Sequence, residues 1–111
     1  MYRLLLIDHD RTHADRLATH LRQRSLVVTI AEHIEEAARS LNQRIPTYEL
    51  VVVIACGPPD AWLAMLRKIV RASRQRCNGL RPLFLFVSPL KCNPRIRLRI
   101  ERLGARYVRE R

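Results

Sequence analysis

Acidic and imidazole side chains collect at one point near the amino terminus of the chain. Asp8, His9 and Asp10 follow directly on the aliphatic run Leu4–Ile7. A second aliphatic run, Leu50–Ala55, ends without a carboxylate. If both runs are parallel strands of one α/β sheet, their carboxyl ends lie at the same edge, where such folds place their chemistry. One strand then brings part of an acidic site to that edge, and the other brings none.

The side chains of this cluster are of types that bind Zn²⁺ or Ni²⁺. A metal site would also need a ligand beside the run Leu50–Ala55. Cys56 is the one candidate there, in an unfavourable geometry. The ordinary alternative is a helix cap, since Asp10 or Thr12 stands where a helix begins. We therefore predict that the chain binds no metal and needs no cofactor.

Patterns typical of catalysis are missing from the sequence. There is no phosphate-binding loop of the G-x-x-x-x-G-K type, and Gly57-Pro58-Pro59 lacks the free amides that cradle a phosphate. No nucleophilic residue stands at a spacing from His13, His20 or His33 that is typical of a catalytic pair, and we interpret these histidines as surface residues. The protein is therefore predicted not to be an enzyme.

Length and composition describe a small, basic domain. The 111 residues, with a formal net charge of +11, predict one domain spanning 1–111. No apolar run reaches the ~18 residues of a membrane helix, and the amino terminus does not resemble a signal peptide. The three cysteines are odd in number and unpatterned, which favours reduced thiols. These features predict a cytoplasmic protein.

Apolar periodicity predicts an alternation of strands and helices. The predicted strands are Tyr2–Ile7, Leu26–Ile30, Glu49–Ala55, Leu83–Val87 and Tyr107–Val108, and the predicted helices are Asp10–Arg24, His33–Arg44 and Asp60–Ser73. Residues 95–100 alternate like an edge strand, yet Pro94 and Gly104 stand where a helix would start and end. The order of the other elements favours the helix.

This order predicts an α/β fold with a five-stranded parallel sheet, doubly wound, with helices on both faces. Only three residues follow Val108, so we expect no fifth helix in these 111 residues and a partly uncovered face of the sheet. An uncovered apolar face usually has a partner. We therefore expect either a homodimer or a segment from outside these 111 residues that covers the face.

Several segments, taken together, resemble the receiver domain of bacterial two-component response regulators, the CheY-like fold. The segments that carry the resemblance are Leu5–Asp10, Glu49–Val53, Pro58, Leu63–Ile69, Arg81–Ser88 and Leu103–Val108. In that family an aspartate on the third strand accepts a phosphoryl group, while two acids on the first strand help to hold Mg²⁺. A hydroxyl on the fourth strand and a lysine on the fifth complete the pocket.

The resemblance implies that this pocket is degenerate. The acceptor position falls on Ile54, which has no nucleophile, and His9 replaces the second acid beside Asp8. Ser88 is the candidate hydroxyl, although it stands one residue late. Arg109 or Glu110 falls near the place of the lysine. The implied protein is a pseudo-receiver that keeps the fold and has lost phosphotransfer.

Basic residues are concentrated in the second half of the chain. Residues 61–111 hold fourteen Lys or Arg and two Glu, whereas residues 1–60 are nearly balanced. The resemblance places the family's usual signalling and dimerisation surface on the fourth helix, the fifth strand and the fifth helix. In that region the chain has Arg95, Arg97, Arg99, Arg102, Arg106 and Arg109. These arginines predict an acidic protein partner.

Nucleic acid is the alternative partner. Arg67, Lys68 and Arg71, with neighbouring arginines and the 95–109 cluster, would form one basic stripe that contacts phosphates. Aromatic residues make up only 5% of the chain, so base stacking would be poor. We therefore favour the protein partner.

Overall fold

Nine elements alternate along the chain in the computed structural model, which describes residues 2–43, 48–55, 62–74, 82–88 and 94–109. They are β1 Arg3–Asp8, α1 Arg11–Gln23, β2 Val27–Ala31, α2 Ile34–Asn42, β3 Leu50–Ile54, α3 Leu63–Arg74, β4 Leu83–Ser88, α4 Pro94–Arg102 and β5 Ala105–Arg109. The predicted order is confirmed, with boundaries shifted by a few residues. The expectations for Cys56, the Gly57–Pro59 loop, Asp60 and Glu110 lie outside the described residues.

The five strands form one parallel sheet in the order β2-β1-β3-β4-β5. The chain moves outward from β1 in one direction to β2, then returns through β3 to β4 and β5. Right-handed crossovers through helices are the usual way to join such parallel strands. The predicted α/β class and doubly wound parallel sheet are therefore confirmed.

Side chains of successive strand residues point to opposite faces of the sheet, and each face has its own core. On β1, Leu5 and Ile7 pack with α2, α3 and α4, whereas Leu4 and Leu6 pack with α1. The first core is the larger, and α3 contributes its buried Leu66 to it. A strand buried on both faces reads as a continuous aliphatic run, which is why β1 and β3 stand out in the sequence.

The segment that was ambiguous in the sequence is a helix. α4 begins at Pro94 and is followed by Gly104, whose φ of +96° is the left-handed conformation that favours glycine after a helix end. Ile100 is fully buried, and Ile96 and Leu103 pack beside it against the larger core. The 3.6-residue period therefore prevailed over the alternation of Arg and apolar residues.

Apolar side chains on the α1 face of β4 and β5 are partly exposed. Leu83 is 49% exposed and Val108 is 42% exposed, and Leu85 and Val87 are only partly buried. The helix residues that pack on this face, among those the structure describes, all belong to α1. The described part of the chain thus has an uncovered area where the sequence predicted one.

Within the described residues, no helix combines the length and apolarity that crossing a membrane requires.

Candidate functional site

One row of side chains crosses the carboxyl end of the sheet. Asp8 is in register with Ile54, Ile54 with Val87, and Val87 with Val108. Residues in register on parallel strands project to the same face. The edge at which the sequence placed its chemistry therefore holds one carboxylate followed by three aliphatic side chains.

The carboxylate of Asp8 is buried, with 3% of the residue exposed, and the chain itself occupies both of its oxygens. Oδ1 accepts a hydrogen bond from the backbone N–H of Asp10 at 3.0 Å. Oδ2 contacts Nδ1 of His13, and the contact becomes an ion pair when the imidazole is protonated. A buried carboxylate needs such partners, because an unpaired one is costly to remove from water.

Asp10 is the N-cap of α1. Its side chain accepts a hydrogen bond from the backbone N–H of His13 at 3.2 Å, which settles the choice between Asp10 and Thr12. The cap places the first turn of α1 directly over the end of β1. His13, in that turn, is thereby brought to Asp8.

His13 is the residue of this site that sequence reasoning missed. Its interpretation as a surface residue needs correction, because the half-buried ring, with 37% of the side chain exposed, contacts Asp8. The available signal was its position three residues after an N-cap that itself follows a buried strand end. In this chain that position lies within reach of Asp8, the last residue of β1.

Replacing His13 by alanine is expected to lower the free energy of unfolding by about 1–2 kcal/mol, because Asp8 stays buried while losing a partner. The loss is kept small by the partial exposure of the ring, since water screens the pair. Urea unfolding at neutral pH measures the change. His20→Ala on the exposed side of the same helix is the matched control, with an expected change below about 0.5 kcal/mol. Equal losses for the two variants would show that the Asp8–His13 contact contributes nothing.

The side chain of His9 is exposed at the same edge and lies beside a second imidazole. The ring centroids of His9 and His33 are 6.2 Å apart and the planes are tilted by 49°. Across the part of the chain that the structure describes, no group of three His, Cys, Asp or Glu side chains is arranged to hold a metal ion.

Ser88 lies one residue beyond the row that contains Ile54. Its register partner is Arg109, and alternation along β4 sends its side chain to the face opposite Val87, where it is fully buried. The expected hydroxyl beside Ile54 is therefore corrected: Val87 occupies that place. Ile54 itself is 8% exposed and belongs to the apolar core on the α1 face.

The arginines of α4 and β5 are exposed, but they do not form one surface. Arg97 donates to Oε1 of Glu101 at 2.9 Å, and its guanidinium lies 5.7 Å from the centre of the Tyr107 ring. Arg106 is in register with Leu85 and projects to the α1 face, away from α4. The remaining members lie with α4 on the other side of the sheet: Arg95, Arg99, Arg102 and Arg109.

Within the part of the chain that the structure describes, most of these cations have no acidic neighbour. Among the described residues, no carboxylate lies within 4.0 Å of the guanidinium of Arg99, Arg102, Arg106 or Arg109. The outer surface of α4 also exposes Leu98, which is 47% accessible and lies one turn from both Arg95 and Arg102. An exposed apolar side chain among arginines is typical of a protein interface.

Comparison of this fold with solved structures gives consistent matches. A two-component response regulator from Clostridium difficile superposes with a TM-score of 0.77 at 15% identity, over 99% of this chain and 84% of its own. The non-phosphorylated HemR receiver domain from Leptospira biflexa gives a TM-score of 0.74 at 26% identity, over 99% of this chain and 82% of its own. The chain has the CheY-like receiver fold. The resemblance seen in the sequence motifs is thereby confirmed.

A further receiver-type neighbour was crystallised in a modified state. This response regulator protein from Burkholderia pseudomallei holds a phosphorylated aspartic acid and a calcium ion, and it gives a TM-score of 0.77 at 18% identity, over 99% of this chain and 60% of its own. No family model matches the sequence, and no curated protein matches it either. The receiver fold supports a signalling role of the response-regulator type.

Proposed function

We propose that this receiver is phosphorylation-independent and signals by binding an acidic protein partner through the exposed surface of α4 and the end of β5. The observation that carries the proposal is the row Asp8, Ile54, Val87 and Val108 at the carboxyl edge of the sheet. An acyl phosphate needs a carboxylate nucleophile, and the position that the family resemblance assigns to it is an isoleucine.

The residues present do not fit the Mg²⁺ ion that receiver chemistry uses. Mg²⁺ requires oxygen ligands in near-octahedral geometry. Asp8 offers the one carboxylate of the row, and both of its oxygens already have partners in the chain. We infer that Asp8 has become part of the internal structure.

Charge and side-chain type support a protein partner on the α4 surface. Arg95, Arg99 and Arg102 lie on one flank of α4, and Leu98 is exposed beside them. Exposed arginines attract acidic partners and increase the rate of encounter. An exposed leucine adds an apolar anchor that a phosphate backbone cannot use. These features favour an acidic protein over nucleic acid.

Self-association through the β4–β5 area of the α1 face is the second part of the proposal. Leu83, Leu85, Val87 and Val108 are apolar and incompletely buried there. Covering this area with the same area of a second copy would remove apolar surface from water. The receiver is therefore proposed to be a homodimer.

Beryllofluoride with Mg²⁺ is expected to leave the amide NMR spectrum of the protein unchanged, because Ile54 offers no carboxylate for the phosphoryl mimic. The response regulator from B. pseudomallei, known with a phosphorylated aspartic acid, is the positive control. Shifts confined to the amides around Asp8 and Ser88 would contradict the phosphorylation-independent function. Full saturation of those shifts at one equivalent would overturn it entirely.

Labelled duplex and single-stranded DNA are expected to show no micromolar binding by fluorescence anisotropy at physiological ionic strength (~0.15 M). At low salt, a net charge of +11 gives weak binding that disappears steeply as salt is added. Micromolar binding that persists at physiological salt, and that Arg99→Glu weakens, would instead favour the nucleic-acid alternative.

A further inference from the structure

A groove lies between α2 and α3 on the solvent side of the helix layer, apart from the carboxyl edge of the sheet. Its volume is about 440 Å³, and its apolar wall consists of Ala38 from α2 and Ala64 and Ala72 from α3. The polar residues of the lining that the structure describes are Asn42 and the three cations Arg67, Lys68 and Arg71. The groove exists because alanine methyl groups leave the space between two packed helices unfilled.

The charged side chains that line the groove are all positive among the described residues. Arg67, Lys68 and Arg71 are exposed, and no carboxylate within the described residues lies within 4.0 Å of them. α3 contains no acidic residue, and the two glutamates of α2 lie in its first turn, away from Asn42. Like charges at i and i+4 on a helix repel each other, so Arg67 and Arg71 destabilise α3 unless an anion lies between them.

The side chains that line the groove also define what sort of anion fits. Guanidinium groups bind phosphate oxygens in pairs, and an ammonium group adds a compact point charge. Among the residues that the structure describes, the lining contains no aromatic ring, so they offer no platform on which a nucleobase could stack. A peptide would have to bring several separate carboxylates into about 440 Å³, whereas a phosphate chain holds the same charge in one short covalent unit.

We propose that the α2–α3 groove binds a compact polyphosphate anion, a linear di- or triphosphate, either free or as the phosphate chain of a nucleotide. Arg67 and Arg71 grip the terminal phosphates, Lys68 neutralises the remaining charge, and the Asn42 amide donates a hydrogen bond from α2. The volume of the groove lies at the lower end of the roughly 300–1,000 Å³ of small-ligand sites. This inference does not rest on the proposed function, because the groove shares no residue with the α4–β5 surface.

Isothermal titration of the full chain with sodium triphosphate, at constant ionic strength, tests the proposal. One triphosphate is expected to bind per chain, about tenfold or more tightly than monophosphate, since at least one bidentate contact is added. ATP is expected to match triphosphate within about threefold, because the base has no stacking partner. Tighter binding of ATP would identify a nucleotide as the source of the phosphate chain and would support the site. Tighter binding of a hexaglutamate peptide than of triphosphate would overturn the proposal.

Matched variants distinguish triphosphate binding in the groove from non-specific attraction of an anion to a basic protein. The pair Arg67→Gln and Arg71→Gln is expected to weaken triphosphate binding by about thirtyfold or more. The pair Arg99→Gln and Arg102→Gln on α4 removes the same charge elsewhere and is expected to change it by less than about threefold. Equal weakening by both pairs would show attraction to net charge alone and would overturn the proposal.

Filling the groove without changing its charge is the second test. Ala64 is exposed, so Ala64→Leu is compatible with folding and narrows the groove. Triphosphate binding is expected to fall about tenfold, with an unchanged unfolding transition by circular dichroism. Unchanged affinity in this folded variant would overturn the groove as the binding site. Binding of an acidic partner at α4 is measured separately with Arg99→Gln and Arg102→Gln, so failure of either proposal is distinguishable from failure of the other.

Discussion

Ile54→Asp is expected to destabilise the protein by about 4 kcal/mol and to leave it unable to accept a phosphoryl group. Ile54 is buried in the core on the α1 face, so the variant loses apolar contacts and buries a carboxylate. The new carboxylate also lies in register with Asp8 on the neighbouring strand, and two adjacent carboxylates repel each other. Urea unfolding and a phosphodonor assay measure the two effects.

The control for this substitution is Ile54→Val, which keeps the site apolar and is expected to cost about 1 kcal/mol. Added Mg²⁺ is expected not to rescue Ile54→Asp, because the oxygens of Asp8 are held by the backbone of Asp10 and by His13. A stable Ile54→Asp variant that binds Mg²⁺ and accepts phosphate would mean that Asp8 exchanges these partners freely. The inference that Asp8 has become structural would then be wrong.

Val108→Glu is expected to convert a homodimer to a monomer, with the dimer dissociation constant raised by about 100-fold or more. Val108 is 42% exposed at the β4–β5 area of the α1 face, so a charge there is tolerated in the monomer. In the dimer, the glutamate would be removed from water, which costs several kcal/mol without a partner. Sedimentation equilibrium over a range of concentrations measures the change.

Leu98→Glu is the matched control for self-association. Leu98 is 47% exposed on the outer surface of α4, so the change in charge and exposed apolar area is similar but lies on the other side of the sheet. It is expected to leave the dimer intact. A wild-type protein that stays monomeric at all concentrations, or a Leu98→Glu variant that dissociates equally, would contradict the β4–β5 interface.

The salt dependence of binding also distinguishes the proposed dimer interface from the α4 surface. Each copy has a formal net charge of +11, so bringing two copies together is opposed by repulsion. Screening by salt therefore strengthens an apolar dimer, whereas it weakens the binding of an acidic partner to the arginines of α4. Opposite salt dependences are the signature of two separate interfaces on one small domain.

Local patterns in the sequence were enough to predict the helices and strands and to place Ile54 near the end of a strand. β1 and β3 are continuous aliphatic runs because both of their faces are buried, and this composition is visible without a structure. The spacing around Glu49–Val53 placed Ile54 at the strand end, which the structure confirms as a buried strand residue. Pro94 and Gly104 marked the ends of α4 because the dihedral angles they favour are local properties.

Contacts between different elements were decided only by the tertiary structure. Asp8 and His13 are five residues apart, but their pairing depends on how α1 turns back over β1 after its cap, and no apolar period encodes that geometry. Alternation along a strand puts Val87 and Ser88 on opposite faces, and likewise Arg106 and Arg109. Register with the neighbouring strands decides which member of each pair lies on the α1 face, because a shift of one residue exchanges the two faces of a strand. The sequence by itself therefore determined which elements form, because backbone preferences and apolar periods are local. The arrangement of the charged side chains was decided by the packing of helices on the sheet. That packing brings His13 to Asp8, divides the arginines of α4 and β5 between two faces and forms the groove between α2 and α3.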